Sequence, residues 1–521
     1  MSDTTATPNY DWRFPALGVG LCCCGLLAIS AVALIGNTKL TAVASATLLL
    51  GILSYLSGNP RLVCLWCLML TIPLNLSKYF GTILDKGGAE VAYRIEVSDP
   101  FILALLACQA WEIWAGHRRG IRVPRASFFW MLVMVMGSWA VVVGPWRSDA
   151  MLELVRMLKV LVLFLVVVNE LETPRWILHC VSALTLSVLA QSIIGIAQYL
   201  LSGTLGLEKL GETSADTIET LAETTLQTGK VWRVSALLLH PNIFGIFLAV
   251  LLPIVLAVLL VKVRFARGFK LFAGVTAAIG MAALIATESR SSWVSFAAAF
   301  AVVMVLTFFH QILRHRSLIA AIGLTAILSL TCLIFWNQIT TRLFESKDEA
   351  TNGREEFKID AKNIINDYFF FGCGLAGYVD VLPQYLRYSR EAYGPRGWLP
   401  PVHHIYYLWW AETGIVGLMI HLSMLGAILG AAIGNFRVKN EVLYAINAGC
   451  LGGILAFMVD GFLSFSLRVN PTLRVFFVVA GIIMAIRYLR LRQSVLSDRP
   501  IQAVAPAANF RNPPLEDGSL A

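Results

Sequence analysis

The stretch NIFGIFLAVLLPIVLAVLLVK, residues 242–262, carries no ionisable side chain until its last residue. At about 1.5 Å per residue such a run, wound as a helix, covers the roughly 30 Å hydrocarbon core of a bilayer. Lipid offers no partners to backbone amides, so the segment must satisfy them itself, as a transmembrane helix does. Comparable runs recur near 15–36, 40–57, 60–77, 99–115, 127–146, 150–169, 175–201, 271–288, 292–310, 317–336, 405–433, 441–462 and 472–488. The 521 residues are 57% hydrophobic and only 14% charged, with a mean hydropathy of +0.72. A soluble chain of that length cannot hide so much apolar surface. The expected fold class is therefore an all-α polytopic integral membrane protein. It has about 14 transmembrane helices and one large, partly helical periplasmic loop. Long helical runs exclude a closed β-barrel.

The formal net charge of +9 follows from orientation. Arg118, Arg119, Arg122 and Arg125, then Lys262, Arg264, Arg267 and Lys270, then Arg314 and Arg316, then Arg437 and Lys439 fall in short loops on one side. The positive-inside rule makes that side cytoplasmic, in the bacterial inner membrane, and an even span count puts both termini there. No basic tract with interleaved aromatics suggests nucleic-acid binding. The resulting map is a cytoplasmic N-terminal segment 1–14, transmembrane helices 1–11 over 15–336, a periplasmic catalytic loop 337–404, transmembrane helices 12–14 over 405–488, and a cytoplasmic, disordered tail 489–521. The first apolar run lacks a small-residue cleavage site and reads as a retained helix rather than a signal peptide. Most cysteines, including Cys64 and Cys67, lie in spans and read as packing residues.

Three long segments, 78–98, 202–241 and 337–404, face the periplasm in this map. WRVSALLLHPNIFG (232–245), TESRSSW (287–293) and VHHIYYLWWAETGIVG (402–417) stand on that side, with NGREEF (352–357) and NIINDYFFFGCGLAGY (363–378) between the last two. Over residues 230–420 this ordered set resembles the O-antigen ligase and polysaccharide polymerase family. Its members share an Arg before HPN, a later SR at a helix end, and an external loop with GR and G-x-G. They also carry a His nine residues before the Glu of an E-x-G. The resemblance implies that Arg290 and Arg354 contact a donor diphosphate and that His403 handles the acceptor hydroxyl, with Glu412 and Gly414 completing the motif. His404 stands where the family usually has Asn; the nine-residue spacing to Glu412 selects His403 as the catalytic histidine.

The chemistry is coherent without the resemblance. A sugar leaving a polyprenyl diphosphate develops negative charge on the leaving group, and Arg forks onto phosphate oxygens while staying charged. A nearby His accepts the acceptor's proton at neutral pH. No D-x-D or tight carboxylate pair offers a metal site, so no metal or cofactor is expected. Structural readings stand beside these. Arg290 at a helix end can snorkel to the interface, Arg354 can be a solvated helix-face charge, and His403 can belong to the aromatic belt of Tyr406, Tyr407, Trp409 and Trp410. His240 and Asn242 can organise the helix entry at Pro241. Arg233, His240, Arg156 and Glu412 are candidate substrate contacts. Glu153, Arg156 and Lys159 share a helix face, either as an internal pair or as a lipid-diphosphate groove.

The function expected is metal-independent, inverting glycosyl transfer from a polyprenyl-diphosphate-linked glycan to a glycan or lipid A-core acceptor. The shared motifs do not separate ligase from polymerase. A transporter or flippase of lipid-linked sugars is the alternative. The sequence shows neither a Walker A string nor paired broken helices in two halves.

Overall fold

The computed structural model describes residues 49–80, 92–118, 120–213, 223–226, 229–260, 267–311, 349–386 and 401–497. The segments 1–14, 15–36, 317–336 and the tail beyond 497 lie outside the described residues. Helix α1 covers Pro60–Thr71, α2 Asp99–Trp114, α3 Arg125–Val143, α4 Arg147–Glu170 and α5 Pro174–Leu201. After them come α6 over Pro241–Leu260, α7 over Arg267–Ala286, α8 over Arg290–Gln311, α9 over Glu349–Asp367, α10 over Ile405–Asn435, α11 over Glu441–Asp460 and α12 over Asn470–Ser497. Eight of the described helices, α3, α5 to α8 and α10 to α12, are long and apolar enough to cross a membrane. The protein is a helical, multi-pass membrane protein. Helix α4 also has spanning length, but Arg147, Asp149, Glu153, Arg156, Lys159 and Glu170 interrupt its apolar run.

Two features depart from the sequence reading. Helix α12 continues to Ser497, past the boundary at 488, because nothing between Arg487 and Ser497 breaks a helix once it has left the apolar layer. The segments 78–98 and 202–241 each hold a small antiparallel hairpin. Strand β1, Ser77–Phe80, pairs with β2, Tyr93–Glu96, in the register Ser77 opposite Glu96; β3, Glu223–Leu226, pairs with β4, Gly229–Trp232. Four-residue strands leave too short an alternation to be read against long apolar runs.

Antiparallel packing sets which helix ends meet. Gly449 and Gly453 of α11 lie against Ile254 and Val250 of α6, while Gly452 packs on Ala299 and Val303 of α8. The Tyr444 hydroxyl donates to Leu306 O at 3.2 Å. Both pairings run antiparallel, so the Asp460 end of α11 sits level with the starts of α6 and α8. Small residues allow this close approach, which is the main source of attraction between helices in lipid. Helix α10 turns back along α11: Asn435 Nδ2 donates to Asn447 Oδ1 at 3.0 Å at one end, and Ile405 N donates to Gly461 O at 2.8 Å at the other. Gly481 of α12 packs on Val167 of α4, and Arg156 of α4 donates to Arg468 O just before α12. One end of the bundle thus collects the starts of α4, α6, α8, α10 and α12.

The opposite end is closed by charge. Arg61 grips Glu170 through Nε to Oε1 at 2.9 Å and Nη2 to Oε2 at 2.8 Å, and Gln109 Nε2 donates to the same carboxylate at 3.0 Å. Arg118 pairs with Glu172 at 2.9 Å.

Candidate active site

The first corner of the site joins two of the quoted strings. Arg233 Nε donates to Thr287 O at 3.0 Å, and its Nη2 donates to Asn242 Oδ1 at 2.7 Å. Val234 N reaches Ala286 O at 3.4 Å. Gly245 lies against Ser289 and Ser292, which holds the first turns of α6 and α8 together. His240 Nδ1 accepts from Asn242 N at 3.0 Å and so occupies one of the orphan amides at the start of α6. The helix-entry role considered for His240 and Asn242 is therefore what their geometry provides. Arg290 is the first residue of α8 and is half-buried at this corner.

The second corner holds the two histidines. His404 is the N-cap of α10: its Nδ1 accepts from Tyr407 N at 3.3 Å, and its ring stacks on Tyr407 with centroids 4.1 Å apart. Burial of the ring, with the nearby Lys358 charge, pulls this imidazole down to about 4. Asn is among the best N-cap residues, so an Asn here would supply the same acceptor. His403 does not cap the helix. Its ring lies between Phe357, stacked at 6.4 Å, and Phe465, edge-on at 5.0 Å. Phe357 belongs to α9, and Arg354 precedes it in that helix by one turn.

Below the histidines, α10 breaks. Gly414 takes φ 66° and ψ −175° within the helix, a conformation favoured only for glycine. The turn that follows α9 docks into the break. Cys373 N donates to Ala411 O at 2.8 Å, Gly374 N to Glu412 O at 3.1 Å, and Ile415 N to Phe369 O at 2.8 Å. A Cβ on Gly414 would run into Phe370 O, and one on Gly372 into the Glu412 carbonyl. The G-x-G and E-x-G strings are thus two halves of one backbone junction. It satisfies the groups that a broken membrane helix frees.

The Glu412 side chain points away from that junction to Arg468. Nη1 lies 2.6 Å from Oε2 and Nη2 3.0 Å from Oε1. Glu153 sits 3.6 Å from Arg468 Nη1 and pairs with Arg156. These four residues are all buried. They line a small cavity, with room for about a single water, together with Trp130 and Trp409. Arg156 is thus engaged with Glu153 and with a carbonyl, the internal pairing considered from sequence. Lys159 turns elsewhere, to Asp99 at 2.7 Å. Arg468 was missed from sequence: it lies 56 residues beyond Glu412 in a short turn, and its only signal is one cation between two apolar spans.

Arg233, Arg290, His403, Glu412 and Arg156 all belong to the same end of the bundle. Among the described residues no three His, Cys, Asp or Glu side chains gather to hold a metal ion. Residues 275–422 match a family model described as O-antigen ligase. This stretch is similar to O-antigen ligase domains. It contains Arg290, Arg354, His403, the G-x-G turn and the broken α10, whereas Arg233, His240, Arg156 and Arg468 lie outside it. That similarity ties the chain to glycosyl transfer in surface-polysaccharide ligation, with lipid-linked glycan and acceptor substrates in a membrane setting. Comparison with curated proteins finds no match.

Proposed function

We propose that the protein moves a glycan from a polyprenyl-diphosphate carrier onto a hydroxyl of a lipid A-core or glycan acceptor, at the periplasmic face of the inner membrane. The transfer needs no metal and inverts the anomeric carbon. The reading rests above all on one relationship. Arg290 and His403 are carried to one end of the bundle by separate helices of the same stretch similar to O-antigen ligase domains, and the Arg354 helix packs its Phe357 on His403.

In this mechanism the acceptor oxygen attacks the anomeric carbon while its proton passes to His403. The bond from the anomeric carbon to the phosphate oxygen breaks, and its electron pair leaves with the polyprenyl diphosphate. Arg290 and Arg354 stabilise that charge with preorganised donors. His404, neutral and committed to capping α10, keeps His403 at the helix mouth. The Glu412 and Arg468 pair fixes the break beneath them. Similarity to O-antigen ligase domains favours this enzyme over a transporter.

Deleting the gene and analysing glycans on the lipid carrier tests the reading. Long chains accumulating on the carrier support ligation, and single repeat units would move the reading to polymerisation. A carrier pool and surface polysaccharide identical to those of the parent would overturn both.

A further inference from the structure

The turn after α9 carries an apolar surface that a water-filled loop does not need. Phe370 is 65% and Phe371 75% exposed, with Phe369 and Tyr368 also open to the surroundings. Phe369 packs edge-on against Trp410 at 5.4 Å, and Trp410 Nε1 donates to Phe369 O at 3.3 Å, so the turn is held by both backbone and side chains.

Its depth follows from its partners. The amides and carbonyls of residues 369–374 bond to residues 411–416 of α10. At 1.5 Å per residue, those positions lie roughly 9–17 Å along the helix from its start at Ile405. On the other flank, Leu375 meets Gly137 and Gly374 meets Ala140, about 5–9 Å inside the Val143 end of α3. Both flanking helices are of spanning length and composition. Exposed apolar residues stand within a turn of these contact positions along both helices: Val135, Trp139 and Val142 on α3, and Val416 and Met419 on α10.

We infer that residues 368–375 form a re-entrant turn of the long loop, in which Phe370 and Phe371 contact the acyl chains of bilayer lipid. The occupant is lipid because the turn is held between two helices of spanning length and composition, both of which expose apolar side chains close to the positions it touches. Irregular backbone is tolerated at that depth only where protein satisfies it, and the paired junction with α10 does so. An aromatic cluster of this size in water would be an exposed patch without a partner. The consequence is a reaction centre anchored below the membrane surface, with the loop pinned to the layer that holds the lipid-linked donor.

The test is photo-crosslinking in proteoliposomes whose phosphatidylcholine carries a labelled acyl chain. Phe371 is replaced by p-benzoyl-phenylalanine, with Phe370 as a second site and exposed Glu355 of α9 as the comparison. Irradiation should give a labelled lipid adduct at 370 and 371 and at least tenfold less at 355. No adduct at either phenylalanine position, or equal labelling at all three, would overturn the inference. The readout is independent of transferase activity, so it stands or fails separately from the proposed reaction.

Discussion

The guanidinium of Arg468 closes on both carboxylate oxygens of Glu412, at 2.6 and 3.0 Å, with both side chains buried. A planar fork on a carboxylate is among the stronger charge-assisted arrangements. Here it joins the turn before α12 to the break in α10.

The pair's neighbours make its two partners unequal. Removing Arg468 takes from the buried Glu412 its bidentate partner and from Glu153 a cation 3.6 Å away, whereas Glu412→Gln leaves Arg468 still beside Glu153. Arg468→Met should cost about 3–5 kcal/mol, the scale for an orphaned buried charge, and Glu412→Gln clearly less. Denaturation of the purified variants in detergent gives the order, and equal costs would contradict this account of the cluster.

Gly414 makes a sharper local prediction. Its φ of 66° and the Phe370 carbonyl in the place of a Cβ leave no relief for any side chain. Gly414→Ala should lose more than about 2 kcal/mol, since strain at such positions alone reaches 1–3 kcal/mol. Gly426→Ala, at a site of the same helix with open space around it, should be neutral or slightly stabilising. The comparison of their melting temperatures checks the junction.

His404 supplies a pH dependence. Its folded value, about 4, lies below the ordinary imidazole value of 6.5. The unfolded chain therefore binds the extra proton first, and stability falls as pH drops from about 6.5 towards 4. His404→Asn keeps the cap and removes the titration. The variant should match the parent at pH 7.5 and lose less stability at pH 5. A steeper loss in the variant would contradict the capping role.

Much of this was legible in the chain. The apolar runs placed α1 to α8 and α10 to α12, because the length needed to cross lipid is a strong constraint. The spacing from His403 to Glu412 selected one of two adjacent histidines, while the break at Gly414 left no mark in an apolar run read as a single helix. Helical periodicity put Glu153 and Arg156 on one face and left an internal pair and a lipid-diphosphate groove both open; the ion pair is shown only by the geometry. Arg468 had no such pattern, since a tertiary partner far along the chain leaves no periodic trace. The hairpins were too short to register. The depth of Phe369, Phe370 and Phe371 also escaped a reading that assigned 337–404 to the aqueous side, because depth comes from the backbone pairing with Ala411 and Glu412.

The proposed arginine roles predict chemistry rather than stability. Arg290→Lys and Arg354→Lys retain charge but lose the planar fork. Each should lower turnover by about 10²-fold or more, the scale of one lost oxyanion donor, with little change in melting temperature. Near-parental turnover in both would return them to interface anchors.

The most direct measurement is transfer by purified protein in proteoliposomes supplied with a polyprenyl-diphosphate-linked glycan and a lipid acceptor, in excess EDTA. The parent and His404→Asn should form product of inverted anomeric configuration, while His403→Ala should form none although it still binds donor. Transfer by His403→Ala at the parental rate would contradict the account, as would product from the parent only when magnesium or manganese is restored.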